Sequence, residues 1–233
     1  IIEIAVKVLC FETSSGKILS VEGSYESFND PEEDISTEIT LLTGIENKMV
    51  DGKFIDWNEV DALFQGVDII IAHNASFDRA FIDRFSSNSR SKVWACSISD
   101  IDWLERGFTS SKQELLCYWH GFYFDAHRAM NDVDALIHLL TFDTGLERPL
   151  LELIKNSNKS EFVIYAEHFK YDPVKKDILK GNKYRWNPNN KIWFKKVNPD
   201  ELEHEKDWLT ATIYDQVFKG RVEEIIPRNK YKL

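Results

Sequence analysis

Ala126 to Leu136 constrains this chain most, because it puts a carboxylate where a helix should be apolar. The pattern predicts a helix continuing through Ile137, His138, Leu139 and Leu140. At about 100° per residue, Ala129, Val133, Leu136, Ile137, Leu139 and Leu140 form one apolar arc. Asp132 falls inside that arc, whereas Asp134 and His138 fall on the opposite face. A carboxylate on a buried face is costly unless a partner satisfies it. His127 lies five residues earlier, and just ahead of the first turn it can swing to the same place. A His and a buried carboxylate at a helix entrance suit a metal-assisted hydrolase. They equally suit a capping His and a satisfied buried Asp.

A second stretch repeats the anomaly. Asp68 to Ala72 reads as an apolar strand of the kind covered on both faces, followed by a turn and a helix. On that helix Phe77, Phe81, Ile82 and Phe85 define an apolar arc that contains Asp78 and leaves Arg79 and Asp83 outside. One cation shared by Asp78 and Asp132 explains both carboxylates.

His73-Asn74-Ala75-Ser76-Phe77-Asp78 and His127-Arg128-Ala129-Met130-Asn131-Asp132-Val133-Asp134-Ala135 resemble the second and third motifs of the DnaQ-like 3′→5′ exonucleases. The His-x4-Asp spacing is that of the DEDDh subclass, to which the proofreading subunit of bacterial DNA polymerase III belongs. Thr43-Gly44-Ile45 is similar to the family's segment between the early strands and the second motif. The resemblance runs in order over residues 1–145. It implies a ribonuclease H-like α/β fold, a three-layer structure around a mixed sheet. It also implies two Mg²⁺ or Mn²⁺ ions, with Asp78 and Asp132 as ligands and His127 as general base. Asn74, Phe77, Gly44 and Ile45 would lie beside the terminal nucleotide. The expected substrate is DNA, with RNA a variant of the same chemistry, and a DNA polymerase is a candidate partner. A catalytically silent nucleic-acid-binding module of the same fold is the competing reading.

The family's first motif, Asp-x-Glu, lies on a strand before the one that starts at Ile1. In the implied fold that strand is the centre of the sheet, flanked by residues 1–9 and 67–72. The expectation is therefore roughly 15–20 further N-terminal residues, enough for one strand and a loop.

The remaining pattern is consistent with this. Ile1–Phe11 and Ile18–Phe28 read as a hairpin about Ser14-Ser15-Gly16. Ser36 caps a helix through Leu42 that ends at Gly44, and further helices cover Trp57–Phe64 and Ser110–His120. Val93–Ser97 is a short strand. Strands alternating with helices indicate an α/β sheet. His73 reads as structural, at the end of its strand. The six His and three Cys show no paired spacing for zinc, and no nucleophile elbow is present.

Polar Asn156–Ser160 reads as a linker, dividing an exonuclease domain, 1–155, from a small α+β domain, 160–233. In the second part the pattern predicts a strand at Phe162–Tyr165, a helix at Lys175–Lys180 and a hairpin around Asn187–Asn190. A closing helix is expected over 201–218. Leu179 to Asn187 looks like a small module attached to some bacterial DnaQ-like exonucleases. Residues 1–150 carry 12 Lys and Arg against 26 Asp and Glu, and residues 151–233 carry 17 against 13. The basic part alternates Lys180, Lys183, Arg185, Lys191, Lys195 and Lys196 with Tyr184, Trp186, Trp193 and Phe194. That alternation could track phosphates and stack on bases, or it could be a solvated face over an aromatic core. Cys10, Cys96 and Cys117 read as free thiols of a reducing compartment, so the expected location is the cytoplasm. No run of 18 apolar residues marks a membrane span.

Overall fold

The computed structural model describes residues 1–142, 145, 147–214 and 216–232. Contacts divide the chain into a first unit, Ile1–Asn158 with the residues from Tyr231, and a second, Lys159–Lys230.

The first unit opens with an antiparallel hairpin of β1 (Glu3–Phe11) and β2 (Ile18–Phe28), paired from Glu3↔Phe28 to Phe11↔Ile18. Helix α1 (Thr37–Thr43) starts where Ser36 Oγ accepts from the Ile39 N–H. It stops at Gly44, whose φ of 70° closes the last turn through its N–H to Thr40 O. A single turn, α2 (Asn47–Val50), and then α3 (Trp57–Gln65) follow. Asp56 caps α3 through the N–H groups of Asn58 and Glu59. Strand β3 (Ile69–Ala72) leads into α4 (Ala75–Ile82), and α5 (Ser87–Ser91) into β4 (Val93–Cys96). β3 and β4 are parallel, Ile69 facing Val93. The unit ends with α6 (Gln113–Trp119), α7 (Ala129–Thr141) and α8 (Pro149–Ser157).

Two apolar cores fill this unit. Ala95, Leu116, Leu136, Leu139, Leu140 and Leu153 form one; Ile4, Val60, Phe64, Ile70 and Trp94 form the other, which also receives Tyr231. β3 sits between them, with Ile69 and Ile71 against the first core and Ile70 in the second. That explains its unbroken apolar sequence.

The mixed α/β class is as expected, but the single sheet is not. Among the described residues β1 pairs with β2 and β3 with β4, and no ladder joins β1 to β3.

Helix α4 corrects the expected arc. Its core-facing side is Ala75 and Arg79, both fully buried, while Phe77 is 62% exposed. Arg79 tolerates burial because its Nε pairs with Asp83 Oδ2 at 3.1 Å and its guanidinium lies 5.8 Å from the Trp94 ring centroid. Phe85, also exposed, stacks on Trp57 at 4.4 Å. The proposed linker is shorter than expected too. α8 continues through Ser157, which is buried, and Asn156 Nδ2 donates to Asp100 O.

The second unit is a four-stranded antiparallel sheet in the order β6-β7-β5-β8. Its elements are β5 (Glu161–Ala166), α9 (Pro173–Gly181), β6 (Arg185–Asn187), β7 (Ile192–Val197), α10 (Leu202–Thr212) and β8 (Arg221–Ile225). The closing helix expected over 201–218 ends at Thr212, Asp215 lies outside the described residues, and an unforeseen edge strand, β8, follows. Ile164, Ala166, Trp193 and Val197 pack with Leu179, Leu209 and Ile213 from the helices.

Candidate active site

Asp78 and Asp132 come together from two helices. The chain turns from β3 into α4 through Asn74, which takes a left-handed conformation (φ 67°) and sets the first turn of α4 at the strand's end. Asp78 sits in that turn. Burial, with the Asp132 charge adding to it, pushes its carboxyl up to about 6. Asp132 is in the first turn of α7. Its pKa is also raised by burial, against the His127 N–H and imidazole, while Glu114 and Glu3 push the same way as burial. Among the described residues neither carboxylate is paired with a Lys or Arg.

His127 precedes α7 in a left-handed conformation, φ 65°. That conformation is uncommon for a residue with a side chain and has to be held by its neighbours. Its N–H donates to Asp132 Oδ1 at 3.4 Å, and its Nε2 lies 3.3 Å from Glu114 Oε1. The imidazole is about half exposed. Gln113 Nε2, beside Glu114 at the start of α6, donates to Asp132 O at 2.6 Å. α6 therefore braces the entrance of α7.

Glu3, Gln113 and Glu114 are the residues that sequence reasoning missed. Glu3 Oε1 accepts from Arg128 Nη2 at 3.0 Å, and Oε2 accepts from the Ala129 N–H at 2.8 Å. Nothing in a strand pattern flags a residue whose partner lies more than a hundred positions away. Glu114 carried the weak signal of an acid in a helix's first turn.

The expected nucleotide contacts divide. Asn74 and Phe77 are exposed beside Asp78, and Phe81 meets the Phe77 ring edge-on at 5.2 Å. Gly44 is exposed, but Ile45 is 1% exposed and its side chain packs inward. Its N–H donates to Thr43 Oγ1. His73, at the end of β3, bonds Ser97 Oγ at 2.7 Å through Nδ1, and burial pushes it down to about 4. It faces structure rather than the two aspartates.

The residues fit a hard divalent cation in kind. Two desolvated carboxylates, each resisting its own charge, are oxygen donors that a cation would relieve. Among the described residues no cluster of three His, Cys, Asp or Glu stands ready as a complete site.

The profile of the RNase_T exonucleases matches residues 1–140. The chain belongs to that family. It is thus a DnaQ-like exonuclease, a nuclease hydrolase of a family that generally depends on divalent metal. It is 27% identical over 200 residues to a DNA polymerase III of PolC type from Halalkalibacterium halodurans. That match covers 80% of this chain and 12% of the polymerase, so the chain spans a small part of this relative's length. A structure of Exonuclease X in complex with 5′ overhanging duplex DNA is similar at 22% identity and a TM-score of 0.45. The similarity covers 65% of this chain and 90% of that one. No described helix is long and apolar enough to cross a membrane.

Proposed function

We propose that this exonuclease hydrolyses DNA from the 3′ end, releasing nucleoside monophosphates, with His127 as general base. The observation that carries the reading is the pair of converging carboxylates, Asp78 and Asp132, with an open imidazole beside them. Asp78 and Asp132 would hold Mg²⁺ or Mn²⁺, which supplies charge neutralisation at the phosphate and the leaving oxygen.

His127 takes the proton of the attacking water at its imidazole, the side chain suited to proton transfer near neutral pH. Glu114, 3.3 Å from Nε2, steadies the ring. Exposed Phe77 gives the terminal base an apolar face, and Asn74 and Gly44 line the approach. Similarity to a DNA polymerase favours DNA as substrate and work beside a polymerase. Activity in the cytoplasm belongs to the same reading.

The test is an oligonucleotide labelled at its 5′ end, incubated with the intact protein and Mg²⁺, Mn²⁺ or chelator. Metal-dependent shortening from the 3′ end to mononucleotides is expected. Release of the 5′ label first rejects the polarity, and cleavage of RNA with DNA spared rejects the substrate. Binding without hydrolysis under every metal condition points to the silent module instead.

A further inference from the structure

We propose that Glu3 is the positioning residue for His127, clamping the backbone just after it to the β1–β2 hairpin. The inference rests on the reading of His127 as the general base.

His127 holds a left-handed backbone without being glycine. Such a conformation persists where its surroundings over-determine it. On one side the surroundings are the His127 N–H to Asp132 Oδ1 contact, long at 3.4 Å. On the other side is Glu3. Its carboxylate divides its oxygens between the next two residues: Oε1 takes the Arg128 guanidinium, Nη2 at 3.0 Å and Nε at 3.2 Å. Oε2 takes the Ala129 N–H at 2.8 Å. Three hydrogen bonds from one side chain thus fix both residues that follow His127.

The arrangement is not an ordinary local cap. A helix start is usually satisfied by a Ser, Thr, Asp or Asn in its own sequence. Arg128, at the cap position of α7, makes no capping bond with its side chain. The acceptor comes instead from a strand 126 positions away. The Arg128 guanidinium also lies 5.4 Å from the Phe28 ring centroid on β2, so both strands of the hairpin hold this corner. Glu3 is largely covered, its side chain 15% exposed, and does not reach the imidazole itself. It acts through the chain: a carboxylate at the α7 entrance sets where His127 starts, and thereby where its imidazole points. A displacement of about 1 Å at a catalytic group costs on the order of 10²-fold in rate.

The experiment compares Glu3→Ala and Glu3→Gln in the intact protein. Steady-state kinetics on a 3′-terminal substrate are measured alongside hydrogen exchange at the Ala129 amide. Glutamine keeps an oxygen for the Ala129 N–H and loses the ion pair. Glu3→Ala is expected to lower kcat about 10- to 100-fold with KM within about twofold, and to speed Ala129 exchange at least about tenfold. Glu3→Gln is expected to recover most of both. Thermal unfolding identifies any variant that fails to fold, and the glutamine arm and the exchange measurement then carry the decision. A folded Glu3→Ala protein with wild-type kcat overturns the proposal. So does a loss confined to KM, or a glutamine variant as slow as the alanine one. If the wild type hydrolyses nothing, the exonuclease reading fails by itself. The clamp is then judged on exchange, and equal Ala129 rates in wild type and Glu3→Ala reject it.

Discussion

Burial acts on His73 and Asp78 in opposite senses, with opposite consequences for stability in acid. His73 is pushed down to about 4 and Asp78 up to about 6. Above the ordinary imidazole pKa of about 6.5, His73 is neutral folded or unfolded and costs nothing. Below it the unfolded chain takes a proton that the folded one refuses, so stability falls as pH drops toward 4. Asp78 does the reverse. The folded state holds its proton more readily, so acidification from pH 6 toward 4 relieves a cost present at neutral pH. The two effects overlap and hide each other in a wild-type curve. Subtraction separates them: His73→Gln should be less acid-sensitive than wild type by about 2–3 kcal/mol between pH 7 and pH 4. Urea unfolding at both pH values checks this, and parallel curves would show that the imidazole is not shielded. At the same scale, His127→Ala should leave folding intact and lower hydrolysis by about 10²–10⁴-fold. Asp132→Asn should be at least as damaging. His138→Ala should leave the rate unchanged, because His138 lies on the far face of α7, packed 4.1 Å from Phe122. Rates on one labelled DNA strand decide the three together.

Helix α4 shows how an apolar arc can point the wrong way. Phe77, Phe81 and Phe85 mark the sequence's obvious core face, yet Phe77 and Phe85 are exposed and Arg79 is buried. A charge is buried when a partner satisfies it, and neither Asp83 four residues on nor Trp94 on the neighbouring strand announces that role in a helical pattern. Removing Arg79 should therefore cost more than removing a phenylalanine. Arg79→Ala is expected to destabilise by about 2–4 kcal/mol, leaving Asp83 without its cation. Phe77→Ala should stay within about 0.5 kcal/mol of wild type and, if the ring stacks on the terminal base, should raise KM instead. Denaturant midpoints and KM values for both variants test the assignment, and the opposite ranking of stabilities would restore the arc to the core. The same logic explains what the sequence made legible. Asp132 and Asp78 stand out because each breaks a local period, and His127 because it precedes one. Glu3 breaks nothing local: its partners appear only when β1 lies along α7, where Lys7 also meets Asp134. β8 was missed because Val222 and Ile225 are separated by two acids, too short a pattern to separate from a frayed helix end.

Across the whole molecule charge is divided, with the acids concentrated before residue 151 and a surplus of Lys and Arg after it. A chain whose candidate catalytic unit is acidic repels the phosphates it must approach, and a basic neighbour can offset that repulsion. The structure narrows which residues could do so. Tyr184 and Trp193 are buried in the second unit, and Lys195 is tied to the buried Glu205 at 2.6 Å, so these three build the module. Arg185 and Lys191 are exposed around the β6–β7 turn, with Trp186 46% exposed between them. If this corner holds single-stranded DNA, binding should weaken steeply with salt, by about 0.7 in log–log slope for each phosphate neutralised. Replacing Arg185 and Lys191 together by alanine should make the slope shallower by about 1 to 1.5. Trp186→Ala should cost about 1–3 kcal/mol of affinity without changing the slope, because stacking releases no counterions. Fluorescence anisotropy of a labelled strand across a KCl series measures both. An unchanged slope in the double variant would mean that the basic surplus is only a solvated face. A shallower slope, with hydrolysis at saturating DNA unaltered, would separate holding the strand from cutting it and assign the first task to the second unit.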